Sequence, residues 1–252
     1  MKSLSNRVFS IFSLRLEAGY RPPFCAFRLE LGYRPALLTA VLLLTISAIA
    51  SGQSQAPLKS DTQFWNDTQL AVPMNKKVDF VLTLTTRTRR NITVLADERW
   101  GVGWVIKVNK YLSFNPFYFH READPPHLRH EREDRLTLGA TVRFPLKKFS
   151  LVDRNWFEHR WRAPQVDAWR YRNRIQLEHP FTLNKAKFTG YVADEVFYDW
   201  SLHDWVRNRF TVGANHAFNK HFTLDLYIMR QNDGRSRPGD INVLGSQLRF
   251  RM

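Results

Sequence analysis

In the stretch from Trp169 to Phe181, WRYRNRIQLEHPF, apolar or aromatic side chains alternate with charged or amide side chains. In a β-strand successive side chains point to opposite faces, whereas a helix would scatter these arginines around its axis. One face carries Trp169, Tyr171, Asn173, Ile175, Leu177, His179 and Phe181, and the other carries Arg170, Arg172, Arg174, Gln176 and Glu178. The stretch therefore predicts a strand with a mainly apolar face and a charged face.

The same period of two recurs along the chain from Asp61 onward. Leu136 and Leu138, for example, alternate with Arg135 and Thr137. Alternating runs of about ten residues that are bounded by turn residues are typical of barrel strands. The predicted strands are 62–72, 78–90, 98–109, 111–121, 132–144, 149–162, 168–181, 187–199, 205–217, 221–231 and 241–252.

The connections between these runs alternate in length. Pro73–Lys77 and Pro145–Lys148 are short, whereas Asn91–Asp97 and Glu122–Glu131 are longer and more polar. Short turns at one end and longer loops at the other are the layout of an outer-membrane barrel. We therefore predict an all-β fold, a single antiparallel up-and-down transmembrane β-barrel of about twelve strands (ten to twelve), within residues 53–252. Because bacterial barrels have even strand numbers, the eleven runs suggest one more strand, in 53–60 or within Asn91–Glu98.

Aromatic residues sort to the two ends of the predicted strands. Aromatic rings with a polar handle favour the headgroup level of a membrane, so two belts fit two interfaces. The predicted interface aromatics are Trp100, Trp161, Trp169, Trp200 and Trp205 beside the longer loops, and Tyr111, Phe181, Phe188 and Phe222 beside the short turns. A soluble periplasmic β-barrel with a lipidic ligand is the alternative, and it would turn the apolar faces inward.

Composition limits the class of protein. The chain has 252 residues, of which 44% are hydrophobic, and its mean hydropathy of -0.40 excludes a bundle of transmembrane helices. The net charge of +15 raises nucleic acid as a partner. However, many arginines lie inside strands among carboxylates, whereas a nucleic-acid surface is usually a basic patch or stripe. We therefore predict no nucleic-acid partner.

The first 52 residues have the features of an export segment. Residues 36–50, ALLTAVLLLTISAIA, form an uncharged apolar run that ends in small residues, which predicts a signal peptide cleaved after about Ala50. Residues 1–35 hold the near-duplicates RLEAGYRP and RLELGYRP and suggest an artefact of the start site. Cys25, the one cysteine, lies in this part, so the mature chain would have none. Removal of 1–52 takes away six basic and two acidic residues and leaves a net charge of about +11.

Several stretches resemble a known family: WRYRNRIQLEHPF, GYVADEVFYDW, WVRNRFTVGAN, LDLYIMRQNDG and GDINVLGSQLRFRM. The resemblance is to the domain of unknown function 2490 family and covers about residues 61–252. It is carried by the repeated Arg-Asn-Arg at 172–174 and 207–209, the Asp194-Glu195 pair and Arg230-Gln231-Asn232. It implies a Gram-negative outer-membrane barrel and brings no established activity or catalytic residues. One departure is the ending Phe250-Arg251-Met252, since barrel-insertion signals commonly end in an aromatic residue.

The charged faces predict the chemistry of the lumen. The predicted lining residues are Arg143, Glu158, Arg160, Arg170, Arg172, Arg174, Glu178, Glu195, Arg207, Arg209 and Arg249, with Arg87, Arg89, Arg162, Arg251 and Asp225 as further candidates. Arginine suits planar, bidentate pairing with carboxylates, so one interpretation is a cross-strand network that plugs a narrow bore. The other is a narrow pore or ligand site that prefers anions, because arginines outnumber the carboxylates.

Catalytic and metal sites are weakly indicated. Ser113 and His120 are too far apart along one strand to bond, and Ser201 with His203 is a weak signal. His120, His127, His130, Asp124, Glu131 and Glu133 could bind a divalent metal, but without the spacing of a zinc site a solvated loop is favoured. We predict no metal, no cofactor and no enzymatic activity, with a lipid-acting barrel enzyme as the alternative.

The prediction from sequence is thus an exported barrel in the bacterial outer membrane, with a structural role or a role as a narrow, anion-preferring pore. Its expected partners are outer-membrane lipid, lipopolysaccharide and the barrel-insertion machinery, and its oligomeric state stays open.

Overall fold

Eleven strands follow one another along the described part of the chain. A computed structural model describes residues 60–123, 130–236 and 238–252. The predicted export segment 1–52 and the candidate strand position 53–59 lie outside these residues. The strands are β1 (Ser60–Pro73), β2 (Val78–Arg89), β3 (Val94–Lys107), β4 (Leu112–Ala123), β5 (Glu131–Leu146), β6 (Phe149–Ala163), β7 (Ala168–Leu183), β8 (Ala186–Asp199), β9 (Asp204–Ala217), β10 (Phe222–Asp233) and β11 (Asp240–Arg251).

The strands close into a barrel in which each strand is antiparallel to the next along the chain. β1 and β11 complete the barrel as a parallel pair, with Trp65 opposite Gly245. A parallel pair is required when an odd number of up-and-down strands closes. The all-β barrel is thereby confirmed, and the eleven strands among the described residues fall within the predicted ten to twelve.

The prediction of an additional strand within Asn91–Glu98 is wrong. β3 begins at Val94, so most of this segment is the first part of the strand predicted to start at residue 98. The connection from β2 is a tight turn, in which Arg90, Asn91 and Ile92 have positive φ angles. Asp97 makes the segment resemble a polar loop in the sequence. In the structure it points inward from β3 and accepts hydrogen bonds from Arg99 and Arg121.

The exterior of the barrel is apolar. Leu84, Leu138 and Ile228 point outward from β2, β5 and β10 and are each about 60% exposed. A soluble barrel would bury such side chains against its core, whereas a membrane barrel presents an outward apolar band to lipid. Among the described residues, no helix is long and apolar enough to cross a membrane.

The aromatic residues predicted for the membrane interfaces lie at the strand ends on this exterior. Those beside the longer loops are exposed, as are Tyr111 and Phe181, while Phe188 and Phe222 are partly exposed. The phenylalanines beside the short turns stack in series, with Phe181 5.5 Å from Phe188 and Phe222 5.1 Å from Phe250 between ring centroids.

Inward-facing glycines make room for aromatic rings inside the barrel. A Cβ atom built on Gly245 would lie 2.0 Å from the ring of Tyr227, and one on Gly213 would lie 2.5 Å from the hydroxyl of Tyr191. Each tyrosine therefore packs over the backbone of a neighbouring strand, which only glycine permits at this distance.

Candidate functional site in the barrel lumen

The inward charged residues meet in the half of the lumen that is nearer the longer loops. Glu158 on β6 lies at the centre of this cluster and has no exposed surface. Its carboxylate is 2.5 Å from Arg170, 2.9 Å from Arg172 and 3.4 Å from Arg135. Such charge-assisted hydrogen bonds are short and directional, so three arginines from the two neighbouring strands, β5 and β7, converge on one carboxylate.

Two further carboxylates extend this cluster around the wall. Glu133 on β5 is 2.5 Å from Arg135 and 2.7 Å from Arg160. Glu195 on β8 is 2.8 Å from Arg172. Arg135 and Arg172 each bridge two carboxylates, and the result is one network that ties β5, β6, β7 and β8 together.

At the centre of the barrel, arginines surround an aromatic ring. The ring of Phe197 is almost completely buried among four guanidinium groups, at 4.7 Å from Arg172 and from Arg209 and 5.5 Å from Arg170 and from Arg207. The face of an aromatic ring attracts a cation, more strongly where water is excluded. We use the term charged layer for Glu133, Arg135, Glu158, Arg170, Arg172, Glu195, Phe197 and Arg209.

A chamber lies on the short-turn side of the charged layer. It has a volume of about 480 Å³ and is lined by nine arginines but only four carboxylates. Arg143 and Arg249, which line it near the turn ends of β5 and β11, are partly exposed. The chamber is therefore positively charged and reaches solvent at the turn end of the barrel.

Arg87 and Arg174 are the arginines among the described chamber residues that form no ion pair with a carboxylate. The guanidinium of Arg87 lies 3.7 Å from the ring centroid of Trp65, and its Nε is buried without a hydrogen-bond partner. Arg174 donates to Gln176 Oε1 at 2.7 Å. Among the described residues, no carboxylate oxygen lies within 4.0 Å of either guanidinium. Both guanidinium groups can therefore donate hydrogen bonds to an anion.

The structure places every predicted lining residue on the inner face of the barrel. Glu158, Arg170, Arg172, Glu195 and Arg209 belong to the charged layer, and Arg160 pairs with it. Arg143, Arg174, Glu178 and Arg249 line the chamber, and Arg207 binds Asp233 near the loop end. Whether any of them lines a conducting pore stays a prediction.

Sequence reasoning missed several residues of this site. Glu133, Arg135 and Arg154 carry the same period-two signal as the predicted residues and could have been found from it. Phe197 could not, because an aromatic residue on a charged face looks like a break in the alternation. Asp194 and Glu195 follow the alternation of their strand, since Asp194 is exposed and Glu195 is buried.

The serine and histidine candidates near the loops bind neighbouring carboxylates in the described part of the chain. Ser201 Oγ donates to Asp199 at 2.5 Å, and His120 Nδ1 lies 2.7 Å from Asp134. Glu133 is held by arginines, and the predicted metal candidates Asp124 and His127 lie outside the described residues. Within the described part of the chain, no three His, Cys, Asp or Glu side chains are placed to hold a metal ion.

Comparison with known proteins gives one family and several solved structures, among them two with low sequence identity. A family model described as protein of unknown function (DUF2490) matches residues 62–242. No curated protein has a matching sequence. LpxR from Salmonella typhimurium has 8% sequence identity and a TM-score of 0.43, with 69% of this chain and 83% of that chain covered. The KdgM porin in complex with disordered oligogalacturonate has 13% identity and a TM-score of 0.39, with 69% and 92% covered.

Proposed function

This chain belongs to the DUF2490 family of proteins of unknown function, and we propose that it is an outer-membrane β-barrel that binds a small anion in its lumen. In this proposal the charged layer keeps the lumen closed on the loop side, and the chamber takes up the anion from the turn side. In bacterial barrels the short turns face the periplasm, so the anion would enter from there.

The excess of arginine over carboxylate in the chamber carries the proposal. Arg87 and Arg174 lack a carboxylate partner among the described residues, and a planar guanidinium binds carboxylate and phosphate groups with two parallel hydrogen bonds. A volume of about 480 Å³ is in the range of small-molecule sites. The ligand class that fits is a small molecule with one or two carboxylate or phosphate groups.

The membrane location is supported by the apolar exterior and by the aromatic residues at both strand ends. The predicted signal peptide would deliver the chain to the periplasm, and the barrel-insertion machinery would then place it in the outer membrane. Its exterior would contact lipid, and its longer loops would contact lipopolysaccharide.

The second candidate function is a narrow, anion-preferring pore, which the same lumen would form if the charged layer opened. Conduction would require Phe197 and the arginines around it to move, since they fill the barrel at the level of the charged layer. The lipid-acting enzyme has less support. His120 and Asp134 form a pair on the exterior, but His120 Nε2 faces Glu122 at 3.3 Å.

Calorimetry on the refolded protein in detergent tests the proposal, with inorganic phosphate and citrate as probes. We expect saturable binding that weakens at least tenfold in the double variant Arg87→Gln/Arg174→Gln, a loss of about 1.4 kcal/mol or more. Arg230→Gln is the control, because Arg230 pairs with Asp240 outside the chamber. An absence of binding by the wild type, or equal binding by the double variant, would contradict the proposal.

A further inference from the structure

The exterior of strands β6 to β9 carries polar side chains at the depth where the rest of the barrel is apolar. We use the term polar patch for Asp153, Asn155, Asn173, Asp194 and Asn208. Asn155 lies midway along β6 between Phe149 and Trp161, and Asp194 lies midway along β8 between Phe188 and Trp200. These two residues, at the centre of the patch, are therefore six residues from the aromatic residues at either end of their strands.

The members of the polar patch bond to one another. Asn173 Nδ2 donates to Asp153 Oδ1 at 2.6 Å and to Asn155 Oδ1 at 3.1 Å. Asn208 Nδ2 donates to Asp194 Oδ1 at 2.9 Å. No lysine or arginine among the described residues forms an ion pair with Asp153 or Asp194. Each carboxylate thus keeps accepting capacity on the outer surface.

The neighbouring exterior of the barrel lacks such groups at this depth. At comparable depth β3 presents Trp104, β5 presents Leu138 and β10 presents Ile228. Acyl chains offer no hydrogen bond, so a carboxylate or amide that faces them is costly by up to several kcal/mol. A second polar pair lies on the exterior where β1 meets β11. There Asn66 Nδ2 donates a hydrogen bond to Oγ of Ser246, which is buried, so this pair satisfies itself without a partner molecule.

We propose that the polar patch is the contact surface of a dimer, in which it is covered by the polar patch of a second copy of this chain. A two-fold axis brings the same surface of both copies together, so the surface must be self-complementary. Asn173 Nδ2 already donates twice within its own copy, but Asn155 Nδ2 donates no hydrogen bond to a described residue and Asn208 Nδ2 donates one. The patch therefore meets the requirement, because amide donors remain beside the carboxylate acceptors, and the axis would set Asn155 and Asn208 of each copy opposite the carboxylates of the other.

The surroundings of the patch suit a protein contact inside a membrane. Phe157, Ile175 and Phe210 are exposed around it and would pack against their counterparts. Polar side chains that hydrogen-bond across such contacts are worth about 0.6 to 2 kcal/mol each in membrane proteins. Lipid headgroups lie at the level of the tryptophans, too far away to satisfy Asp194. A second copy is the partner whose chemistry and depth both match.

Disulfide trapping tests the dimer in the membrane. The inference rests on the membrane location in the proposed function but not on the anion site, and heat-modifiable migration checks barrel folding separately. In a Cys25→Ser background, Ile175→Cys places a thiol inside the patch on β7, and Leu226→Cys places an exposed thiol on β10 as the matched control. On oxidation of outer-membrane fractions we expect a species of twice the monomer mass for Ile175→Cys alone.

A variant that removes two of the polar side chains from the patch tests the cause of association. Asn155→Leu/Asp194→Leu should keep heat-modifiable folding but behave as a monomer by light scattering in detergent, where the wild type should be a dimer. A monomeric wild type, a wild-type monomer that retains a co-purified lipid, equal trapping at Ile175→Cys and Leu226→Cys, or a dimeric Asn155→Leu/Asp194→Leu variant would each overturn the proposal.

Discussion

Arg170 Nε donates a hydrogen bond of 2.7 Å to Glu158 Oε2 across strands β6 and β7, at a position where Glu158 is completely shielded from solvent. The two residues are direct register partners in the ladder. A shift of one residue would turn one of them to the lipid face, so this pair fixes the register of its strands. Buried ion pairs often specify structure more than they stabilise it.

Removal of the charge of Glu158 should weaken the barrel strongly. Glu158→Gln preserves the shape of the side chain but leaves Arg170 without a carboxylate partner, and an uncompensated buried charge costs about 3 to 5 kcal/mol. The urea midpoint of heat-modifiable migration reports this loss. Glu178→Gln is the control, because its partner Arg143 is half-exposed and such a pair is worth about 0 to 1 kcal/mol. Equal losses in the two variants would show that the charged layer is not the energetic centre of the lumen.

Addition of one methyl group at Gly245 should also destabilise the barrel. The new Cβ of Gly245→Ala would meet the ring of Tyr227 at 2.0 Å, and overpacking of this kind costs about 1 to 3 kcal/mol. Gly234→Ala serves as the control, since a Cβ there has no atom within 4 Å. The same urea titration compares them, and a Gly245→Ala variant as stable as the wild type would show that Tyr227 does not occupy this position.

Truncation of Phe197 should open the charged layer. Phe197→Ala removes the ring between four guanidinium groups, with a stability loss of about 3 to 5 kcal/mol and a new gap in the lumen. We expect planar-bilayer conductance steps for this variant that favour chloride over potassium, because arginines line the gap. Phe157→Ala on the exterior should leave conductance unchanged. A folded Phe197→Ala variant without conductance would place the seal elsewhere.

An arginine on the exterior distinguishes a membrane surface from a soluble one. Leu138→Arg should impair insertion by about 2 to 4 kcal/mol, because Leu138 lies near the middle of the outward apolar band. On a soluble barrel the same substitution at an exposed position would change stability by only about 0.5 kcal/mol. Recovery from the outer-membrane fraction measures the effect, with Leu202→Arg in the loop after β8 as the control. Full recovery of Leu138→Arg would argue against lipid contact.

Much of this fold is predictable from period-two alternation, and the reason is physical. Arg172 and Ile175 fall on opposite faces whatever strands lie beside them, so the inner and outer surfaces follow from sequence. The partners across strands do not. The contact between Arg160 and Glu133 depends on the register of β5 with β6, and the parallel β1–β11 pair depends on how the last strand meets the first.

The charged layer is harder to predict than its separate residues. The alternation predicts lumenal arginines but does not say that Phe197 lies among them, or that the charges gather toward the loops and leave a chamber toward the turns. Burial along one strand gives this division. Arg170 is buried near the loop end of β7, and Glu178 is partly exposed toward its turn end.

The proposed function requires that a small anion binds in the chamber while the charged layer stays closed. A crystal structure of the protein soaked in selenate or bromide provides a test, since both anions are located by their anomalous scattering. We predict an anomalous peak within hydrogen-bonding distance of Arg87 or Arg174, with Glu158 and Phe197 still buried. An empty chamber, or a continuous water-filled path through the charged layer, would contradict the claim.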